Sequence, residues 1–323
     1  VILYDPPSAA QSIPVVDLEG SFTHAQARSR VADAIHHACR ETGFFYVTGH
    51  GVPEALVEAQ LDWTRRFFDQ DRTRKLALSI DRSPCRRGYE GYGSQVLDEG
   101  SAADFKESFM IACELAPDHP WVVAGLPMQG PNQWPDALPG FREQMSAWQD
   151  EMVRLGRHLM GCLAQSVDLP FDWFADGLGE PQCGVRLLRY PPQPADVEGN
   201  LLGAGAHSDW GSITILLQDD LGGLEVRNAD GDWIPATPLG GSFVINIGQM
   251  MERFTAGIYR ANLHRVRNNH AQRARHSVAS FFELEPDYRM ARAPTCIGDT
   301  RDDVPPPTVG EHIEDMARAS YGA

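Results

Sequence analysis

After Gln182 the chain breaks into short runs rich in β-branched and aromatic residues: VRLLRY, SITILLQ, GLEVRN, DWIPAT, SFVINI, NLHRVR and HSVASFFEL. Turn segments such as DDLGG and ADGD separate them. Runs of this length form strands, and the glycines between them supply the positive φ that tight reversals need. So many short strands within roughly a hundred residues protect their edges best as a barrel or a double-sheet jelly roll. No tandem repeat or low-complexity tract interrupts them.

The first part of the chain has a different period. IPVVDL at 13–18 predicts a strand, and residues 23–42 predict a helix with Val31, Ile35 and Ala38 on one face, stopped by Gly43. FFYVTG follows as a second strand, and Pro53 opens a helix through Leu56, Leu61 and Phe68, so the first seventy residues read as a small α/β cap. Residues 83–134 are rich in Gly, Pro and Asp and predict long loops, with one element near 105–111. Phe141, Met145, Trp148, Met152, Leu155, Leu159 and Cys162 recur at steps of three and four, which marks one long helix after Pro139 whose stripe packs a core. The expected division is an N-terminal cap over 1–120, a supporting helical region over 121–180, a β core over 181–290 and a C-terminal segment over 291–323, joined in one compact unit.

At 323 residues and 42% hydrophobic composition the chain can bury a substantial core. Its net charge of -16 repels polyanions, so nucleic acid is not expected as a partner. The six cysteines, at 39, 85, 113, 162, 183 and 296, have none of the spacings of zinc sites or redox dithiols. The opening VILYDPPSAAQSIPVVDL lacks a basic segment followed by a long apolar run, and no stretch approaches eighteen apolar residues. The expectation is a cytoplasmic protein without membrane contact; oligomeric state is not legible.

In AHSDWGSITILL, His207 and Asp209 are two apart, so extended backbone projects both to one face, where they could share a metal ion. A lone His-x-Asp arises often by chance. Support comes from His264 in ANLHRVRN, 57 residues later on another predicted strand. Two histidines and a carboxylate form a facial set that leaves three octahedral positions of iron open. His36 and His37 on the first helix, His158 on the long helix, and His270 and His276 near a turn read instead as surface or packing residues. Eleven residues beyond His264, strand alternation puts Arg275 and Ser277 on one face, a guanidinium fork and a hydroxyl suited to a carboxylate.

These residues carry a resemblance. IPVVDL, GFFYVTGHGVP, DFKESF at 104–109, RYPPQP at 189–194, HSDWGSITILLQDDLGGLEV, FVINIGQMMERFTAGIYRANLHRV and RHSVASFF are together similar to the isopenicillin N synthase-like branch of the Fe(II) and 2-oxoglutarate-dependent dioxygenases, over nearly the whole chain. The resemblance implies an α+β fold whose core is a distorted double-stranded β-helix of the cupin-like jelly-roll type, with flanking helices and an α/β cap. It implies His207, Asp209 and His264 as iron ligands, Arg275 and Ser277 on the distal carboxylate of 2-oxoglutarate, and Tyr190 assisting there. Phe281, on the parity of Arg275 and Ser277, lines the pocket near the metal or simply packs the barrel.

Where many plant relatives carry an asparagine two residues before that tyrosine, this chain has Leu188, with Arg186 on the same face. Arg186 meets the cosubstrate or another anion, or forms an ordinary salt bridge with an acidic side chain. In the 85–105 loop, Tyr89 and Tyr92 among flexible glycines form a substrate-pocket wall or pack the cap.

The implied activity consumes 2-oxoglutarate and O₂ with Fe(2+), with ascorbate as a stimulant, and releases succinate and CO₂ while oxidising a small-molecule metabolite. Hydroxylation is the expected outcome; desaturation and cyclisation are the variants. The rivals are a 2-oxoglutarate-independent oxidase of the isopenicillin N synthase type, an ethylene-forming reaction, and a non-catalytic jelly-roll binding protein.

Overall fold

The computed structural model describes residues 2–3, 12–93, 104–193, 202–267, 272–297 and 305–321. Part of the 85–105 loop, Pro194 of RYPPQP and His270 lie outside them. In chain order the elements are β1 (Ile2–Leu3), β2 (Val15–Asp17), α1 (Ala25–Glu41), β3 (Phe44–Thr48), α2 (Glu54–Phe68), α3 (Arg72–Ala77), β4 (Gly88–Glu90), β5 (Glu107–Ile111), α4 (Pro120–Val123) and α5 (Phe141–Gln165). Then come β6 (Gln182–Tyr190), β7 (Ala204–His207), β8 (Ile213–Gln218), β9 (Leu224–Arg227), β10 (Trp233–Pro235), β11 (Phe243–Ile247), α6 (Gln249–Phe254), β12 (His264–Val266), β13 (Arg275–Glu283), β14 (Cys296–Ile297) and α7 (Val309–Tyr321).

Two sheets face each other. The larger has eight strands in the order β2-β3-β11-β8-β13-β6-β5-β4, and the smaller has four, β10-β9-β12-β7. This is the double-stranded β-helix expected for the core. Of the strands in the first 120 residues, β2, β3, β4 and β5 extend the same large sheet, since β3 pairs with β11 and β5 with β6, whereas β1 pairs with β14.

Period-two alternation divides the large sheet's faces. On β13, Val278 and Phe282 join the core under the helices, whereas Ala279 and Phe281 pack inward with Leu188, Tyr190, Val226 and Val266 between the sheets. The stripe of α5 covers the outer face: Phe141, Met145, Trp148, Met152, Leu155 and Leu159 are completely buried, each contributing about 1.5–3 kcal/mol. Trp148 satisfies its indole N–H by donating to Ser280 Oγ at 3.1 Å. Gly156 lets this helix approach β13, because a Cβ there would sit 2.4 Å from the Phe282 ring.

Gly43 ends α1 with φ of 67°, and a Cβ there would lie 2.6 Å from the Arg260 carbonyl. Only glycine permits both the turn and the approach. α3, α6 and α7 were not anticipated from periodicity. α3 and α6 are six residues each, too short to develop a helical repeat, and α7 lies in a segment read only as a C-terminal extension. Among the described residues no helix is long and apolar enough to cross a membrane.

Candidate active site

A cavity of about 830 Å³ opens between the sheets and is closed at one end by α7, through Val309, Ile313 and Met316. His207 ends β7 and lies directly across the ladder from His264 on β12. Their ring centroids are 4.2 Å apart. Asp209, two residues beyond His207, places Oδ1 3.9 Å from His207 Nε2 and 3.8 Å from His264 Nε2. One donor atom from each of the three residues lies within 4.8 Å of the others.

His207 and Asp209 are each aimed by a neighbour. His207 Nδ1 donates to the Gly205 carbonyl at 2.8 Å, which fixes the tautomer and leaves the Nε2 lone pair free. Asp209 Oδ2 accepts from Thr214 Oγ1 and from Asn246 Nδ2, so Oδ1 is the oxygen left for a metal. Burial, reinforced by the His264 imidazole, holds the His207 imidazolium down to about 3. Burial would raise the Asp209 carboxyl, but the two imidazoles and the two donors outweigh it and hold it below its ordinary value. At neutral pH His207 is thus a neutral imidazole and Asp209 a carboxylate, the forms in which such groups bind a divalent cation. The residues fit a mononuclear iron site.

The backbone that carries His207 is fixed from the side. Asp104 Oδ1 accepts the Gly205 N–H at 2.9 Å, and its Oδ2 accepts from the buried Lys106 ammonium at 2.6 Å. Lys106 lines the cavity.

Further into the cavity Arg275 is 1% exposed. Its Nη1 donates to Ser277 Oγ at 3.0 Å and its Nη2 to Gln218 Oε1 at 3.3 Å, while its guanidinium lies 4.9 Å from the Tyr190 ring centre. Its Nε has no partner, and among the described residues no carboxylate pairs with it. A buried guanidinium without a counter-ion is costly, and the arrangement is therefore a built site for an anion. Burial raises the Tyr190 hydroxyl, so it stays a neutral donor beside that charge.

Phe281 lines the cavity on the parity of Arg275 and Ser277. Arg186 also lines it, but its Nη2 forms a salt bridge with Glu90 and its Nε donates to Ser108 Oγ at 3.2 Å, so the arginine reaches the cavity already paired with an acid.

Tyr89 and Tyr92 do not line the cavity, and the expectation of a tyrosine pocket wall is corrected. β4 pairs with β5 so that Tyr89 opposes Phe109 and Glu90 opposes Ser108. Glu90 and Ser108 thus share the cavity face with Arg186, while Tyr89 turns to the other face. There it donates to Glu107 Oε2 at 2.7 Å, and Tyr92, 45% exposed, donates to Glu107 Oε1 at 3.0 Å. Both belong to a cluster in which Lys75 and Arg189 also grip the fully buried Glu107 carboxylate.

Sequence reading missed Thr214, Asn246, Lys106 and Gln218. The signal was available for Asn246, a lone polar residue in the apolar strand FVINI, and for Lys106, which shares strand parity with Ser108 and Met110.

A family model described as the 2OG-Fe(II) oxygenase superfamily matches residues 181–284, and one described as the non-haem dioxygenase in morphine synthesis N-terminal matches residues 13–137. The 2-oxoglutarate-Fe(II) type oxidoreductase hxnY of Emericella nidulans is 35% identical over 315 residues, covering 95% of this chain and 89% of the relative. Clavatol oxidase claD of Penicillium crustosum is 32% identical, covering 96% of each. In structure, a full-length Neurospora crassa protein in complex with alpha-KG and thymine superposes with a TM-score of 0.81 at 25% identity, over 95% of this chain and 97% of that one.

Proposed function

The chain belongs to the 2OG-Fe(II) oxygenase superfamily and is an iron- and 2-oxoglutarate-dependent dioxygenase, and from that premise we propose that His207, Asp209 and His264 hold its metal while Arg275 anchors the distal carboxylate of 2-oxoglutarate. The observation that carries this assignment is the buried Arg275 guanidinium without an acidic partner, in the same cavity as the two imidazoles and the carboxylate.

When bound, the iron and keto acid supply oxidation of a substrate C–H bond by O₂, with release of succinate and CO₂. The chain's own residues do the positioning. Ser277 and Tyr190 flank the guanidinium, so a carboxylate entering there meets a charged fork and hydroxyl donors in a dry site. Thr214 and Asn246 keep one Asp209 oxygen occupied, which holds the other in a fixed direction. Phe281, Trp210 and Met110 exclude water and leave an apolar space for a small molecule. The Neurospora crassa protein, in complex with thymine, supports a substrate of that size. The reaction is hydroxylation of such a molecule.

The test is succinate release by the Fe(II)-loaded protein across a metabolite panel, with product masses measured in parallel. Succinate formed in step with a hydroxylated product is expected. Full turnover without any keto acid would overturn the assignment of Arg275 and favour the oxidase.

A further inference from the structure

Glu283 closes the inward-facing row of β13 at the end opposite Arg275. Phe281 lies across the ladder from Thr214, whose hydroxyl holds Asp209, so the metal-ligand cluster is level with Phe281. Glu283 is two residues further on, about 6–7 Å along the strand, whereas Arg275 lies six residues back, about 20 Å away. The cavity thus carries a cation at one end, the candidate metal ligands in between, and a carboxylate at the other end.

Among the described residues the Glu283 carboxylate accepts no hydrogen bond and forms no salt bridge. Arg87, the nearby cation, is committed to the Cys85 carbonyl at 3.0 Å and the Met128 carbonyl at 2.6 Å. Gly211 gives the carboxylate its berth, since a Cβ there would stand 2.8 Å from Oε1. Burial, with Asp209 adding to it, pushes the Glu283 carboxyl up to about 7. The cavity that Glu283 lines is also faced by Phe281, Trp210, Met128, Pro286 and Ile313. An acceptor without a donor in an apolar pocket is what a ligand N–H satisfies.

We propose that Glu283 selects the substrate, and that the substrate class is an aromatic or otherwise apolar small molecule presenting an N–H donor, as an amine or a nitrogen heterocycle. The inference rests on 2-oxoglutarate occupying the Arg275 end. It also explains the polarity of the cavity. A carboxylate at the far end opposes a keto acid bound in reverse and disfavours anionic substrates.

Calorimetry on the full chain, loaded anaerobically with Fe(II) and 2-oxoglutarate, tests the inference with two isosteric pairs in which only the nitrogen compound is a donor: indole against benzofuran, and indoline against 2,3-dihydrobenzofuran. At least one nitrogen compound should bind tenfold or more tightly than its oxygen partner, and Glu283→Leu, which removes the acceptor, should reduce that preference to within about threefold. Equal binding within both pairs, or a preference that survives Glu283→Leu, would overturn it. The 2-oxoglutarate titration that precedes each experiment reads the cosubstrate assignment separately, so its failure in the wild type is told apart from failure of Glu283.

Discussion

Asn246 donates from Nδ2 to Asp209 Oδ2 at 2.8 Å, and by occupying that oxygen it turns the other toward His207 and His264. Asn246→Ala should therefore weaken Fe(II) binding about 10- to 100-fold while leaving a folded protein, because it frees the carboxylate to rotate without removing it. Asp209→Ala should abolish Fe(II) binding. Anaerobic Fe(II) titration distinguishes the two, and an Asn246→Ala protein with wild-type affinity would show that Thr214 alone orients the carboxylate.

The buried Arg275 makes a paired prediction about binding and stability. Removing one partner of a desolvated charge pair costs about 2–5 kcal/mol, so Arg275→Ala should raise the apparent KM for 2-oxoglutarate at least thirtyfold. Without metal or keto acid the same change deletes an uncompensated buried charge, and Tm of the apo protein should hold steady or rise. The rise in Tm that 2-oxoglutarate gives the wild type should vanish in the variant. Thermal melts with and without 2-oxoglutarate check the two stability outcomes, and steady-state kinetics check the first.

The Glu107 cluster should behave in the opposite way. Its carboxylate is fully buried and held by Lys75, Arg189, Tyr89 and Tyr92, so Glu107→Ala leaves Lys75, itself buried, without its counter-ion. A loss of about 3–5 kcal/mol is expected in denaturant unfolding. Tyr89→Phe removes one hydrogen bond and should cost about 1.5–3 kcal/mol, because the acceptor is charged. Neither change should alter the KM for 2-oxoglutarate in molecules that remain folded; a specific rise in KM would place this cluster in the site after all.

These contrasts explain what was legible in the chain. His207 and Asp209 stand two apart and Arg275 and Ser277 two apart, and on a strand that spacing alone puts each pair on one face. His264 could be joined to them because it lies on a β-type run, although only the β7–β12 register brings it directly opposite His207. Tyr89 and Tyr92 were misread for the same kind of reason. Their glycine-rich surroundings say loop, whereas the face each ring takes depends on the pairing of β4 with β5, which no local pattern records. α7 escaped because its contribution to the cavity is tertiary: Val309, Ile313 and Met316 are ordinary apolar residues until the helix is laid across the opening.

The last prediction concerns acid stability and His158 on α5. The imidazole is 7% exposed, stacks on Phe22 with centroids 3.8 Å apart, and lies 2.8 Å from Ser21 Oγ. That hydroxyl already donates to the Leu18 carbonyl, so the ring must donate from Nε2 and the Ser21 oxygen accepts. Burial, with Arg28 and Arg154 adding to it, lowers this histidine from 6.5 to about 4. Between those values the unfolded chain binds a proton that the folded chain refuses, so acid favours unfolding, and the stability present above pH 6.5 is lost as the pH falls toward 4. The full effect is about 3 kcal/mol. His158→Gln keeps an N–H donor for Ser21 but cannot titrate. It should be less stable than wild type at pH 7.5, through lost stacking, yet lose less on acidification, so the two stability curves converge toward pH 4. His207 and His276, which burial also holds low, titrate in both proteins and cancel in the difference. Urea unfolding of the metal-free proteins at intervals from pH 7.5 to 4 measures the two curves, and parallel curves would show that His158 does not resist protonation in the folded state.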